Sequence, residues 1–499
     1  MGYVDIADKR TLDLVYDKVV SIEKSLTTDW KTYFEARATG ELFATKFYSV
    51  DVSQTVDGEK MYDSVGLSCT PSTLEEKGQD DFSTHNVFWF VDCNFEMQDD
   101  CTAVPICIEG QSNFKRTGAV DVGVLTPPLY YGVRDTDDGQ IWYLSDVEEP
   151  REGLKLTLMP HCKNRKTGEA LGYGILPKYY AGEIDGKMYG SSGLCPRRFV
   201  SYQSLNSLMQ ARGKGYEGSG AERSIYLKLM LRIKYAKSSS QAVFQGCTNY
   251  TYQYKVAEAS EGNYVVLTEE QAKNFYVGAT VSIGSNVNNN TDRGNATMRD
   301  LADGVRITKI DGAYVYVEKE GMSVPDTAYI SSMPLVSGQT DNVKANDGYV
   351  QNDGKHSFKL QGVEEGIGAY FVSCNEMINK ESSTENVFYN KNTGAYTTSI
   401  DTVKSIWKEC GRLTRASSDD FWIGDVVIDE ETGTEIPKNN SNGNSSGTGD
   451  KCYFGGSSTG TREHLSRGSL GNGSSCGLSC LYCWDSLSTS RWNFVACVS

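Results

Sequence analysis

Histidine is almost missing from this chain: His85, His161, His356 and His464 are the only four in 499 residues. None stands at the spacing of a zinc site or a metalloprotease helix, and no GxSxG or HExxH motif occurs. The hydrolytic chemistries that rest on those patterns are excluded, and neither an enzyme nor a cofactor is expected. Positive charge is outnumbered as well, with 49 Lys and Arg against 65 Asp and Glu, a formal net charge of −16. A phosphate-backbone ligand, which needs clustered cations, is therefore disfavoured. No run approaches the ~20 apolar residues that a membrane-spanning helix requires. The opening MGYVDIADK lacks the basic and apolar regions of a secretory leader. The fourteen cysteines are then expected as reduced thiols from cytosolic synthesis. Cys93 with Cys101 or Cys107 is the pair to examine first.

Proline is scarce at 11, whereas Gly reaches 50 and Tyr 30. Many short alternating runs accompany them, which indicates a mainly β (α+β), multidomain protein of about three domains. Residues Asp8 to Thr27 read as a helix. Leu12, Val15, Val19, Ile22 and Leu26 form a heptad-like seam that needs a partner, so a homo-oligomer, most simply a trimer, is expected. Trp30 to Phe43 reads as a second short helix, closing an N-terminal attachment segment at 1–46. A β-rich domain follows at 47–260. In it Asn86 to Asp92 reads as a strand, and Asp138-Gly139 as the turn of a hairpin. Asp135, Asp137 and Asp138 fit a solvated turn better than a calcium loop, because Gly and Glu miss the required positions. Gly213 to Gly220 opens onto a helix at 221–236, apolar around most of its circumference and thus a core element. Residues 261–340 read as a small β insertion with a capping box at Thr268 to Gln271 and an Asn/Thr-rich loop tip at Asn286 to Asn295. That composition suits a carbohydrate- or partner-facing module, or a spacer.

The last fifty residues are the most unusual. They hold five cysteines, abundant Ser and Gly, and only Asp450, Glu463 and Asp485 as acids. Tyr482, Trp484, Arg491 and Trp492 are the side-chain types that dominate binding hot spots, and Ser and Gly beside them resemble a paratope in composition. Cys476, Cys480 and Cys483 carry the C-x3-C-x-Tyr-C spacing of radical-SAM cluster ligands. Only sixteen residues follow Cys483, too few for one βαβ unit, so small buried thiols are expected instead. From Gly468 to Ser499 there is no Lys, Glu, Gln or Met. Adenine-targeted mutagenesis of Asn codons cannot produce those four types or Trp, so Trp484 and Trp492 are exceptions expected to be template residues.

Arg467-Gly468, Asn472-Gly473-Ser474, Gly477, Ser486 to Ser490 and Trp492-Asn493 occur in the order seen in one family. The segment resembles the C-terminal variable region of proteins diversified by retroelements, whose members include phage tail-fibre receptor-binding proteins. Val495 and Cys497 replace the Gly and Arg that usually close the pattern. A second stretch, Gly362-Val363-Glu364 with Gly368, resembles a motif of the related formylglycine-generating enzymes. Glu364 there is expected as a buried, hydrogen-bonded structural carboxylate. Ile225 to Tyr254, Gly118 to Pro127 and Tyr143 to Gly153 look like segments of structural proteins from gut-bacterial prophages.

The resemblance implies a C-type-lectin-like domain at 341–499, with its variable region at about 465–499 and a flexible loop at Lys438 to Gly449. It implies a receptor-binding protein of a phage or prophage tail, located in the virion and made in the bacterial cytoplasm. The partners would be a bacterial cell-surface receptor, protein or glycan, and other tail proteins through the N-terminus. The ligand-contacting residues would be Leu470, Ser475, Tyr482, Asp485, Thr489 and Arg491, flanked by Trp484 and Trp492. Gly468, Gly473 and Gly477 would instead set the backbone. A purely structural virion or adhesin component is the alternative, and a formylglycine-type enzyme a more distant one.

Overall fold

The helix Ala221–Tyr235 is buried at every residue from Ala221 to Lys234, and the chain is arranged around it. The computed structural model describes residues 29–288 and 290–499. The heptad-like seam from Leu12 to Leu26 lies outside the described residues. The core helix carries Ile225, Leu229 and Ile233 at successive turns, but also five charged side chains. Each finds a partner from a distant segment: Glu222 with Arg165 at 2.9 Å, Arg223 with Glu365, and Lys228 with Glu435 at 2.9 Å. Arg232 lies 3.6 Å from Glu435, and Lys234 is 2.6 Å from Asp347 and 3.1 Å from Asp80. Charges this deep persist only when paired and hydrogen-bonded, so the ion pairs fix which segments surround the helix.

The protein is mainly β and multidomain. A five-stranded sheet runs in the order Glu59–Tyr62, Phe43–Tyr48, Gly139–Ser145, Tyr130–Thr136, Thr157–Leu158. Its central hairpin pairs Thr136 with Gly139, so the expected hairpin forms but its two-residue turn is Asp137-Asp138, one residue before Asp138-Gly139. A second sheet orders Ala103–Ile108, Val91–Met97, Asp121–Thr126 and Gly174–Pro177. The insertion forms a six-stranded antiparallel sheet spanning Gln253–Lys255 to Tyr329–Ser332. The Thr268 capping box starts the short helix Glu269–Ala272. The C-terminal sheet is centred on the long strand Tyr370–Ser382, between Glu385–Asn390 and Gly460–Arg467. Phe494–Val495 adds to it in parallel, against Tyr370 and Phe371.

Several expectations need correction. The early helix is only Trp30–Glu35, capped by the Asp29 carboxylate, and a strand has begun by Phe43. Asn86–Phe88 is a 3-10 turn, and the strand starts at Val91. Val87 and Phe88 are consecutive and both buried. A turn can send both inward, whereas a strand would send one out. The 438–449 segment is tied down: Thr448 N–H donates to Ile423 at 3.1 Å, and Ser238 Oγ donates to the Gly447 carbonyl at 2.5 Å. The cores also cross the expected borders. One cluster unites Phe43, Trp142 and Leu229 with Phe358, Ile378 and Cys483. Another joins Val281 and Ile330 of the insertion to Leu470 and Val495. The 341–499 region therefore does not close a core of its own.

Candidate binding surface

The strand Gly460–Arg467 ends in a reversal at Arg467, whose φ is +70°. The Arg467 side chain turns inward. Its Nε lies 3.1 Å from Glu365, and Nη1 donates to the Leu478 carbonyl at 2.9 Å. The loop beyond it is pinned by Asn472. Oδ1 accepts from the Ser469 N–H at 2.8 Å and from the Tyr370 hydroxyl at 3.1 Å, and Nδ2 donates to the Tyr453 hydroxyl at 3.1 Å. Gly473 has φ +59°, where a side chain is strained. A Cβ on Gly468 would sit 1.9 Å from the Cys476 sulfur, and one on Gly477 would sit 2.2 Å from Ser240 Oγ. These three glycines set the backbone by a left-handed turn and two close approaches.

The expected contact residues divide. Trp484 is 49% exposed and lies over Gly456, where a Cβ would sit 3.5 Å from the ring. The Arg491 side chain is 51% exposed, with Nη2 2.7 Å from Asp485 Oδ1. Tyr482 is half-buried between Tyr370 and Tyr453, at ring separations of 5.0 and 5.7 Å. Ser475 and Thr489 are half-buried. Ser475 Oγ donates to the Asn472 carbonyl at 2.7 Å, and the Thr489 hydroxyl lies 3.3 Å from Ser486 Oγ. Two were expected on the surface and are not there. Leu470 is fully buried against the insertion core, and Asp485 is buried as the anchor for Arg491.

Neighbours distant in sequence complete this face. The Arg293 guanidinium stands 5.2 Å from the half-buried Trp492 ring. Phe199 donates its N–H to the Arg491 carbonyl at 3.0 Å, and the Arg299 guanidinium lies 3.9 Å over the Phe199 ring. Aromatic and guanidinium groups therefore alternate across three segments, a favourable cation–π arrangement. The Asn/Thr-rich composition at 286–295 was the one sequence signal for this. Nothing local marks Phe199.

Beneath the face lies Glu463, buried, with neither carboxylate oxygen hydrogen-bonded. Burial, reinforced by Asp485, pushes its carboxyl up to about 9. Glu364 is buried and accepts from the Gly338 N–H at 2.8 Å, the Thr340 N–H at 2.9 Å and the Thr340 hydroxyl at 2.8 Å. It is the hydrogen-bonded structural carboxylate that the sequence suggested. Burial and Asp341 nonetheless raise it to about 7. Burial would raise adjacent Glu365 too, but Arg223 and Arg467 outweigh it and hold that carboxyl down at about 2.

All fourteen cysteines are free thiols. Cys93 faces Ile108 across the ladder while Asn94 faces Cys107, so the two thiols point to opposite faces. Cys476, Cys480 and Cys483 are buried. Among the described residues, the one group with three metal-capable ligand atoms within 4.8 Å of one another is Cys69, Asp80 and Asp347. The Lys234 ammonium sits against both of those carboxylates and already supplies the positive charge. No protein-family model and no curated protein matches the chain.

Proposed function

We propose that the protein is a receptor-binding component of a phage or prophage tail, presenting a diversified surface on a C-type-lectin-like C-terminal region. The observation that carries this reading is the placement of Trp484 and Arg491. Two exposed hot-spot side chains lie together on a segment whose backbone is fixed by Asn472, Asp485 and the three glycines. Rigid support beneath exposed anchors lowers the entropy cost of binding.

The lectin-like reading draws support from its two motifs meeting in space. Glu365 lies 3.1 Å from Arg467, and a Cβ on Gly368 would reach Leu470 at 2.2 Å. The remaining parts of the proposal are a homotrimer and attachment to other tail proteins through the N-terminal segment.

The test is binding of the full chain to cells of candidate bacterial hosts, compared with Trp484→Ala and Arg491→Ala. Binding lost in both variants, with unchanged melting, supports the reading. Equal binding by all three proteins rules it out in favour of a structural virion or adhesin component. Light scattering of the full chain and of a version lacking residues 1–28 tests the trimer.

A further inference from the structure

A cleft distinct from the display surface opens between the five-stranded sheet and the segment around 424–448. Its volume is about 230 Å³, and Trp142 and Arg232 line it with Asp135, Thr136 and Asp137 from the end of the hairpin. Arg232 comes from the core helix, is 2% exposed, and stacks 4.1 Å from the Trp142 ring. The carboxylate paired with it, Glu435, lies 3.6 Å from Nη2 and is held more closely by Lys228 at 2.9 Å. Arg232 Nη1 has no hydrogen-bond partner. A buried guanidinium donor without an acceptor is costly, and the cleft that Arg232 lines can supply one.

The rest of the lining limits what that acceptor belongs to. Asp137 and Asp135 stand exposed at the rim. Asp135 spends one oxygen on the Gln140 amide at 2.8 Å. Asp425 is already satisfied by Ser49 Oγ at 2.6 Å, Val50 N–H at 3.0 Å and Asn439 at 2.8 Å. Lys438 and Thr55 add further donors. An anion suited to Arg232 would meet the rim carboxylates, and a cation suited to the rim would meet Arg232. A neutral ligand whose every group both donates and accepts satisfies both ends. Phe47 offers an apolar wall for its carbon–hydrogen faces, and the buried Trp142 ring backs Arg232. The volume gives room for one sugar ring.

We propose that this cleft binds a neutral saccharide unit through Arg232, Phe47 and the hairpin end from Asp135 to Asp137, at a site separate from the display surface. The test is titration of the full chain, followed by saturation-transfer NMR and calorimetry. The probes are glucose, galactose, mannose and N-acetylglucosamine, with glucuronate, glycine and calcium chloride alongside. At least one neutral sugar should bind with a Kd of about 1 mM or tighter. Asp137→Ala should weaken it about tenfold. Thr136→Trp, at an exposed rim position, should abolish it by filling the mouth. Both variants should melt as the wild type does, and Trp484→Ala should bind the sugar normally. The proposal is overturned if no neutral sugar binds, or if glycine, glucuronate or calcium binds in the sugar's place. Sugar binding that survives Thr136→Trp but disappears in Trp484→Ala would also overturn it, by placing the sugar on the display surface.

Discussion

The backbone N–H of Glu463 donates to the carbonyl of Asp485 at 3.0 Å, so the strand beneath the display segment holds that segment directly. The Glu463 side chain is buried at this junction without a hydrogen-bond partner. Its carboxyl, pushed up to about 9 by burial and Asp485, is neutral in the folded protein at ordinary pH. An acid whose folded pKa is raised binds its proton more tightly when folded. Its contribution to stability is complete below the unfolded value, and is lost as pH rises from there toward 9.

Glu463→Gln should therefore be close to neutral at pH 5 and stabilising at pH 8, by about 4 kcal/mol. Urea denaturation of both proteins at the two pH values measures this. An equal difference at pH 5 and pH 8 would contradict it.

Trp484→Ala should leave the melting temperature within the range of ordinary surface changes, about 0.5 kcal/mol, while removing ~2 kcal/mol or more of receptor binding. Tyr482→Ala is a less clean probe, because that ring is packed between Tyr370 and Tyr453. It should weaken folding and binding together. Paired thermal melts and cell-binding assays separate the two variants.

Gly477→Val should damage folding first. Its Cβ alone would meet Ser240 Oγ at 2.2 Å and Asp450 Oδ1 at 2.8 Å. Leu470→Ala should cost about 2–5 kcal/mol as a core truncation, and it should not change receptor affinity in the molecules that remain folded. Soluble yield and denaturant midpoints check both.

Glu365→Ala should cost about 3–5 kcal/mol, because it strands the guanidinium groups of Arg223 and Arg467 in the core. Glu365 is held down at about 2 by those arginines. Its stabilising effect is full above the unfolded carboxylate value and is lost as pH falls toward 2. The penalty of the substitution should accordingly shrink in acid, as denaturation at pH 7 and pH 3 would reveal.

Local pattern made much of this molecule legible. The apolar spacing from Ile225 to Ile233 identified the core helix, and Asp138-Gly139 and the Thr268 box each gave the right element. Exposure was harder. Leu470 and Asp485 sit in a segment with a surface-like composition, yet one fills the insertion core and the other anchors an arginine. Sequence spacing carries no record of what packs from two hundred residues away. For the same reason Phe199 and Arg299 were invisible as neighbours of Arg491. The five charges on the core helix are interior residues because partners from distant segments reach them.

That helix has a consequence for how the protein is made. When Ala221–Tyr235 leaves the ribosome, Arg223, Lys228, Arg232 and Lys234 still lack a partner each, because Asp347, Glu365 and Glu435 have not been synthesised. The helix cannot be fully buried until Glu435 exists, so folding of the middle of the chain waits on its end. A ribosome that stops early releases a chain with an unburied, highly charged core element, which is a natural substrate for chaperones and proteases. Synthesis through Glu435 thus acts as a checkpoint, and only chains that contain it can bury this helix with its ion pairs closed.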